Sequence, residues 1–306
     1  MRISRRAAAL AFLLAGLAGG YGCATVEEAT KLGASFAQSQ GMVTQEQAKS
    51  IVKTTSAVAK SFEDITPEQE YYIGRTVGAV IVNKYRVYPN TEANEYLNLL
   101  GQTLAQASDR PETFGGYHFL ILDSGEINAF AAPGGLIFVS RGMLRNCKSE
   151  DAVAAVLAHE IGHVQLRHGL QSIDKSRLTQ ALTTLAAEGA KTFGKKELAD
   201  LTRAFEGSIT DITSTMINNG YSRAFEREAD AAAVKILSRV GYDPNGLVAM
   251  LTEMEKHLKP GGLDFAKTHP SPKSRIEDIE SLNVGGKSYR EVSARQARFR
   301  TALGKI

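Results

Sequence analysis

Two histidines and a glutamate stand in a spacing that suits a metal-dependent hydrolase. His159 and His163 are four residues apart, and Glu160 directly follows the first of them. On an α-helix this spacing puts both imidazoles on one face, one turn apart, where they can bind one metal ion. Glu160 then projects to the flank, within reach of a metal-bound water. The pattern therefore predicts a zinc site with hydrolytic chemistry. The alternative is a pair of core histidines, which would leave three ionisable groups buried without a ligand at a high energetic cost.

A catalytic zinc ion needs a third protein ligand and one open position. The metzincin pattern would place glycine at position 166 and histidine at position 169, but the chain has Leu166 and Gly169 there. His168 is one residue out of that register, so we expect it to support the site or the structure rather than to bind the metal. The third ligand is therefore expected from another helix.

The best source of that ligand is an acidic segment further along the chain. Glu226 and Asp230 are four residues apart and share one face of a predicted helix, whereas Glu228 points elsewhere. One of the two carboxylates can bind zinc while the other orients a ligating imidazole through its free N–H. An acidic helix taken alone is typical of a salt-bridged surface. Small residues at Ala229 and over 231–233 favour close packing against another helix instead.

The segment around the two histidines is predicted to be a buried helix. Apolar residues occur almost all round the helix over 152–166, which indicates burial on every side. Before it, one apolar strand is predicted over 117–122, and two more form a hairpin around a Pro-Gly-Gly turn. The predicted fold class is α+β and predominantly helical, with an active-site helix and a small antiparallel sheet. The hairpin strands are predicted over 127–131 and 136–140, and further helices over 66–84, 91–107, 211–240 with a break at 218–220, 242–257 and 274–282.

The first 22 residues have the pattern of an export signal. Three arginines precede an apolar run over 7–18 and a group of small residues before Cys23. The residues before Cys23 resemble a bacterial lipobox, in which the cysteine is acylated, although Gly20 and Tyr21 depart from its usual residues. With Ala24 after the cysteine, this resemblance implies a lipid anchor on the outer membrane. A plain cleaved signal is the alternative.

The charge balance argues against nucleic acid as a partner. The 306 residues include 36 basic and 33 acidic residues, and the three arginines of the signal account for the excess. The remainder is neutral and lacks the basic surface that nucleic-acid binders need. Cys147 is the only other cysteine, so lipidation of Cys23 would leave no intramolecular disulfide, and we expect Cys147 to be a buried thiol.

The chain is predicted to contain four parts. They are a lipoprotein-type signal peptide over 1–22, a tether with a lead-in helix over 23–65, a zinc metallopeptidase domain over 66–283, and a polar C-terminal tail over 284–306. Three arginines of the tail are expected to form a solvated helix face.

Several sequence blocks, in the same order, resemble the gluzincin family that includes HtpX, the CAAX prenyl protease, BepA and LoiP. The similarity covers roughly residues 66–282, and the small periplasmic lipoprotein members resemble the chain most. HtpX and the prenyl protease are membrane-embedded, and BepA carries a tetratricopeptide array that this chain lacks. The matching blocks are His159-Glu160-x-x-His163, Glu226-x-x-Ala229-Asp230, Asn128-Ala129-Phe130-Ala131, the Pro-Gly-Gly turn, and Thr268-His269-Pro270 with Arg275-Ile276.

The resemblance implies a zincin-like domain that holds one zinc ion per chain with His159, His163 and Glu226. Glu160 would accept the proton of the attacking water, and Asp230 would orient an imidazole. The resemblance also implies a role in quality control of misfolded outer-membrane or periplasmic proteins.

The hairpin offers a place for the substrate. An extended peptide can pair with the open edge of the strand formed by Asn128, Ala129, Phe130 and Ala131, which favours unfolded substrates. The alternative is an edge that merely completes the fold.

Two residues of the last matching blocks have open roles. His269 can donate a hydrogen bond to the oxyanion, or it can reach the zinc at rest and hold the enzyme latent, as BepA-like relatives suggest. A loop histidine with no metal role is the third alternative. Arg275 is a weaker candidate for binding substrate carbonyls.

Two other functions compete with the peptidase. A non-catalytic, chaperone-like binding factor could use the same groove, but the intact Glu160 disfavours it. A zinc hydrolase acting on something other than peptides is the third hypothesis.

Overall fold

The computed structural model describes residues 65–173, 206–257, 269, 272–281 and 293–306. The predicted signal peptide, the tether up to residue 64 and Cys23 lie outside the described residues. The chain divides into two compact units, Met1–Ile65 and Thr66–Ile306, and the second contains every element described below. Within the described part of the chain, no helix is both long and apolar enough to cross a membrane.

Two helices precede the sheet, and each begins at a residue that caps it. Helix α1 spans Pro67–Tyr85 and α2 spans Thr91–Ala105. Thr66 and Gln69 form a reciprocal capping box, in which each side chain accepts a hydrogen bond from the backbone N–H of the other. The Asn90 side chain caps α2 by accepting a hydrogen bond from the N–H of Ala93. These caps are local, which is why the sequence predicts both helix starts.

The sheet has three strands in the order β1-β3-β2. Strands β2 (Ala129–Ala132) and β3 (Leu136–Ser140) form the predicted antiparallel hairpin around a turn over Pro133–Gly135. Strand β1 (His118–Leu122) pairs with β3 in parallel. The predominantly helical α+β class is confirmed, but the sheet is mixed rather than antiparallel throughout. The reason is that the connection over 123–128 carries the chain past β3 to its other edge.

The outer edge of β1 is covered by other parts of the domain. Val87 forms an antiparallel bridge with Leu122. The side chains of Asn94 and Asn98, one helical turn apart on α2, hydrogen-bond to the backbone of residues 121 and 119. Backbone groups that would otherwise form an unpaired edge are thereby satisfied.

Strand β2 presents backbone groups at the opposite edge. The N–H of Ser140 donates to the carbonyl of Asn128, so these two residues form a hydrogen-bonded pair. Because such pairs alternate with non-bonded pairs in an antiparallel ladder, the N–H and C=O of Ala129 and Ala131 point away from β3. The N–H of Ala129 donates to Oδ1 of the neighbouring Asn128.

The remaining helices enclose an apolar core centred on the helix that carries the two histidines. That helix, α4 (Glu150–Gln165), is capped by Ser149 and buried over nearly its whole length, as predicted. Cys147 is a buried free thiol, and burial raises its pKa to about 12.

The predicted break over 218–220 is present as a π-helical turn over Thr215–Asn219 that ends at Gly220. The helices are α3 (Arg141–Asn146), α4 (Glu150–Gln165), α5 (His168–Gln171), α6 (Glu206–Ser214), α7 (Arg223–Val240), α8 (Asn245–His257), α9 (Pro272–Ser281) and α10 (Ser293–Leu303).

The C-terminal helix α10 packs on the domain, with Leu303 in the core. Arg298 contacts the buried carboxylate of Glu150 in the first turn of α4, and Arg295 lies 4.0 Å from the centre of the Tyr242 ring. The basic cluster of the predicted tail is therefore not simply a solvated face, because a buried carboxylate requires a cationic or hydrogen-bonding partner.

Candidate metal centre

Helices α4 and α7 pack closely enough to bring their polar faces together. A Cβ at Gly162 of α4 would lie 2.9 Å from the carbonyl oxygen of Ala229 on α7 and 3.2 Å from the Cβ of Ala232. The small residues Gly162 on α4 and Ala229 and Ala232 on α7 thus allow the two helices to pack this closely. The alanines of 229–233 therefore serve the helix contact that the sequence suggests, rather than a salt-bridged surface.

Four potential metal ligands converge between these helices. Nε2 of His159 and Nε2 of His163 are 3.2 Å apart, and they lie 3.5 and 3.4 Å from the carboxylate oxygens of Glu226. Nδ1 of His269 lies 2.7 Å from Oε1 of Glu226. All four side chains are buried, and their ligand atoms lie within 4.8 Å of one another.

The chemistry of this cluster fits a metal cation. Oε2 of Glu226 is buried and has no hydrogen-bond partner in the described part of the chain. Burial alone would raise the pKa of Glu226, but His269, His159 and His163 outweigh it and hold that pKa well below its usual value. A buried carboxylate among imidazoles is thus kept ionised, which is the form that binds a metal.

Asp230 fixes the orientation of one ligand. Its Oδ1 lies 2.9 Å from Nδ1 of His159, so Nε2 of that imidazole is left for the metal. Burial and the nearby Arg275 disfavour a charged imidazole, but Asp230 and Glu226 outweigh them and raise the pKa of His159 to about 9. Metal binding at His159 would therefore displace a proton.

Arg275 has a different place from the one that the sequence suggests. Its buried guanidinium binds both carboxylate oxygens of Asp230 and lies 3.5 Å from Oε2 of Glu226. With burial opposing it, Arg275 is the main charge that lowers the pKa of Asp230 to about 2. These contacts orient the carboxylates rather than leaving Arg275 for a substrate carbonyl.

Glu160 has the position and the acidity of a proton acceptor. It is buried beside the ligands, and its Oε1 has no hydrogen-bond partner among the described residues. Burial, opposed by His159 and assisted by Glu226, raises its pKa to about 7. A carboxylate with a pKa near neutrality can both take up and release a proton at physiological pH.

The structure places three further residues around His163, of which the sequence suggests only His168, as a residue that supports the site or the structure. The ring of Tyr221 stacks on the imidazole of His163 with centres 4.4 Å apart. Nδ1 of His168 lies 2.9 Å from Nδ1 of His163, and its Nε2 lies 3.1 Å from Glu228. The sequence predicts a supporting role for His168, and the structure places its ring against His163. No sequence pattern around Glu228 or Tyr221 predicts these contacts. Glu228 contacts His168, and Tyr221 contacts His163, only when α7 packs on α4.

The proposed substrate strand packs against the helix that carries His159 and His163. Residues Ala129, Phe130 and Ala131 belong to β2, and Asn128 immediately precedes it. Strand β2 and the turn over Pro133–Gly135 both contact α4. The strand thus packs against the helix that carries two of the metal ligands.

A helix with two imidazoles and an adjacent carboxylate, completed by a carboxylate from a second helix, defines a metallopeptidase of the gluzincin class. More specifically, residues 91–283, over half of the chain, match the model of Peptidase family M48. The chain belongs to this family. Its membership confirms the resemblance and the prediction of a metalloendopeptidase.

Curated relatives agree with this assignment. The chain is 31% identical over 192 residues to the beta-barrel assembly-enhancing protease of Escherichia coli (strain K12), covering 61% of this chain and 38% of that protein. It is 28% identical over 221 residues to a putative beta-barrel assembly-enhancing protease of Vibrio cholerae, covering 70% and 44%. It is 34% identical over 172 residues to the mitochondrial metalloendopeptidase OMA1 of Schizosaccharomyces pombe, covering 54% and 46%. The match spans less than half the length of each of these relatives.

Proposed function

We propose that the protein is a zinc-dependent endopeptidase that hydrolyses unfolded or misfolded proteins in the bacterial cell envelope. The observation that carries this proposal is the buried set of His159, His163 and Glu226 with Glu160 beside it. Two imidazoles and one carboxylate are a ligand set typical of catalytic zinc. When bound there, zinc would supply Lewis-acid activation of water and of the peptide carbonyl.

Glu160 carries the proton in this mechanism. Its carboxylate accepts a proton from the attacking water and returns it to the leaving amine. Burial raises the pKa of Glu160 to about 7, so this carboxyl group holds a transferred proton more readily than an exposed glutamate does. Asp230 and Arg275 keep the His159 imidazole oriented throughout the reaction.

The substrate binds, in this proposal, as an extended strand along β2. The C=O of Ala129 and the N–H and C=O of Ala131 point away from β3 and can pair with a peptide backbone, whereas the N–H of Ala129 already donates to Oδ1 of Asn128. Main-chain pairing tolerates many side chains, but it requires a segment that is not already folded. This requirement supports unfolded or misfolded proteins as the substrate class.

His269 holds the resting enzyme latent in this proposal. Its ring lies with the other three ligands, and its Nδ1 contacts Glu226. A fourth protein group at that position would compete with water and substrate for the open coordination position. The placement supports the resting-state role of His269 over a loop histidine with no part in the site.

The envelope location rests on two supports. The sequence pattern of residues 1–22 is that of an export signal with Cys23 as the candidate lipidation site. The relatives named beta-barrel assembly-enhancing protease point to quality control of outer-membrane proteins as the role. We propose a lipid-anchored enzyme on the periplasmic side of the outer membrane, with its peptidase domain over 66–283.

The experiment measures zinc content and proteolysis together. The wild type should bind about one zinc ion per chain and cleave an unfolded protein such as β-casein, with new peptide termini visible by mass spectrometry. Glu160→Gln should keep the zinc and lose activity by at least a hundredfold, because it removes the proton acceptor without removing a ligand. Glu226→Ala should lose the zinc.

The control is Glu255→Ala, which removes an exposed carboxylate on α8 and should change neither quantity. A wild type that binds no zinc after purification with metal supplied would contradict the proposal. Binding of unfolded protein with equal affinity by wild type and Glu160→Gln, without any new termini from wild type or from His269→Ala, would favour the chaperone-like alternative.

A further inference from the structure

A chain of three side chains leads from the metal ligand His163 to the protein surface. Nδ1 of His163 lies 2.9 Å from Nδ1 of His168, and Nε2 of His168 lies 3.1 Å from Oε2 of Glu228. The side chains of both histidines are fully buried, whereas the side chain of Glu228 is 55% exposed. The metal ligand is thus connected to a carboxylate in contact with solvent.

The chemistry of the site determines which atom donates at each step of this chain. Nε2 of His163 faces the other ligands, 3.2 Å from His159 and 3.4 Å from Glu226, and it must be unprotonated to bind a metal. A neutral imidazole then carries its proton on Nδ1, which donates to Nδ1 of His168. His168 in turn carries its proton on Nε2, which donates to Glu228. Every contact therefore has one donor and one acceptor.

The surroundings of His168 hold its ring in the orientation that this chain requires. The ring stacks on Phe225 with centres 4.4 Å apart and planes 6° from parallel. Arg167, in the left-handed conformation with φ of 58°, turns the chain between α4 and α5 and so places His168 beside His163. Phe225 and Glu228 both belong to α7, the helix that also carries Glu226.

The two metal-binding imidazoles are consequently oriented by different means. Nδ1 of His159 contacts the carboxylate of Asp230 directly, and Arg275 binds both oxygens of that carboxylate. His163 reaches its carboxylate only through a second imidazole. In both cases α7 provides the carboxylate, so one helix supplies the third ligand and orients the other two.

We infer that His168 and Glu228 are positioning residues for the metal ligand His163, and that they fix its Nδ1–H tautomer and direct its Nε2 at the metal. This inference rests on the metal site proposed above. Outer hydrogen-bond partners of a metal-binding histidine commonly contribute ten- to a hundredfold to metal affinity. His168 thereby has a defined role although it lies one residue out of the metzincin register.

The first experiment compares zinc affinity in the full-length protein by competition with a chromophoric chelator. His168→Phe removes the acceptor and should weaken zinc binding about ten- to a hundredfold. His168→Gln keeps a carbonyl acceptor for the Nδ1–H of His163 and should recover part of that loss. Glu228→Ala should weaken binding less than His168→Phe does, because His168 remains in contact with His163. Glu255→Gln serves as the control for removing an exposed carboxylate.

The second experiment reads the tautomers directly in the zinc-loaded wild type, and so does not depend on the folding of any variant. The ¹⁵N spectrum of the six histidines should show His163 protonated on Nδ1 and His168 protonated on Nε2. In Glu228→Ala the Nε2 proton of His168 loses its acceptor, and the signal of that ring should shift toward a mixture of tautomers.

The two failures can be told apart. A wild type without zinc would overturn the metal site and this inference with it. Equal zinc affinity in wild type and His168→Phe, or a proton on Nδ1 of His168 in the zinc-loaded wild type, would overturn this inference alone and leave the peptidase proposal standing.

Discussion

At the scale of single residues, burial converts ordinary side chains into a reactive set. Glu160 and Glu226 are both buried glutamates, yet their pKa values move in opposite directions. Burial raises the pKa of Glu160 to about 7, whereas the imidazoles around Glu226 outweigh its burial and hold its pKa well below the usual value. One carboxylate is thereby suited to move a proton and the other to bind a cation.

Substitution of His269 should distinguish its two proposed roles, because latency predicts a faster rate of cleavage and oxyanion stabilisation predicts a slower one. Because its ring lies among the other ligands, we expect His269→Ala to increase the initial rate of β-casein cleavage several-fold by freeing the open coordination position. The exposed His118, changed to alanine, is the matched control. A slower rate with zinc retained would assign His269 to oxyanion stabilisation instead.

At the scale of elements, the contact between α4 and α7 determines the ligand geometry. The two histidine ligands lie on α4, and Glu226 and Asp230 lie on α7, so a change in the separation of these helices moves both carboxylates relative to the imidazoles. Gly162 lies against α7, where an added Cβ would first meet the backbone of Ala229 rather than a flexible side chain.

We therefore expect Gly162→Ala to weaken zinc binding at least tenfold, although alanine favours a helix more than glycine does. The forced separation should also lower the free energy of unfolding by about 1–3 kcal/mol. Zinc competition and denaturant unfolding measure the two effects. Gly125→Ala is the control, since a Cβ there meets no atom within 4 Å. Unchanged zinc affinity in Gly162→Ala would show that the helices adjust without moving the ligands.

At the scale of the whole domain, one buried carboxylate joins segments that are distant in the sequence. Glu70 on α1 accepts paired hydrogen bonds from Arg110 and further hydrogen bonds from Arg167, which follows α4. It also accepts a hydrogen bond from the N–H of Gly134 in the β2–β3 turn. This residue thereby connects the end of the hairpin to the end of the active-site helix.

Glu70 should give the domain a specific dependence of stability on pH. Burial alone would raise its pKa, but Arg110 and Arg167 outweigh burial and lower the pKa below the unfolded value of about 4.5. A lowered folded-state pKa means that the stabilisation is fully present above about pH 4.5 and is lost as the pH falls through the folded-state pKa. We expect Glu70→Gln to cost about 3 kcal/mol at pH 7, because two arginines lose their carboxylate.

Denaturant unfolding at several pH values tests this prediction. The difference between wild type and Glu70→Gln should stay constant above about pH 5 and shrink in acid. Glu92→Gln, at an exposed position in the first turn of α2, should change the free energy of unfolding by less than about 0.5 kcal/mol. A difference that grows as the pH falls would contradict the assigned direction of the pKa.

The sequence by itself determined the features that depend on local geometry. The four-residue spacing of His159 and His163 puts both side chains on one face of any helix. The caps at Thr66 and Asn90 determine where two helices start to within a few residues. The hairpin follows in the same way from its Pro-Gly-Gly turn. Helical spacing limits the candidates for the third ligand to Glu226 and Asp230, which share one helix face. The family resemblance favours Glu226 of these two.

Only the tertiary structure decided which distant side chains meet. The pairing of Glu228 with His168, of Arg275 with Asp230 and of Arg298 with Glu150 joins residues that are 45 to 148 positions apart. The parallel pairing of β1 with β3 likewise depends on the tertiary structure, because the connection after β1 passes β3 before β2 begins. Helical periodicity specifies the face on which a side chain lies, but the packing of one helix on another selects its partner, because that choice depends on the shape and charge of both surfaces together.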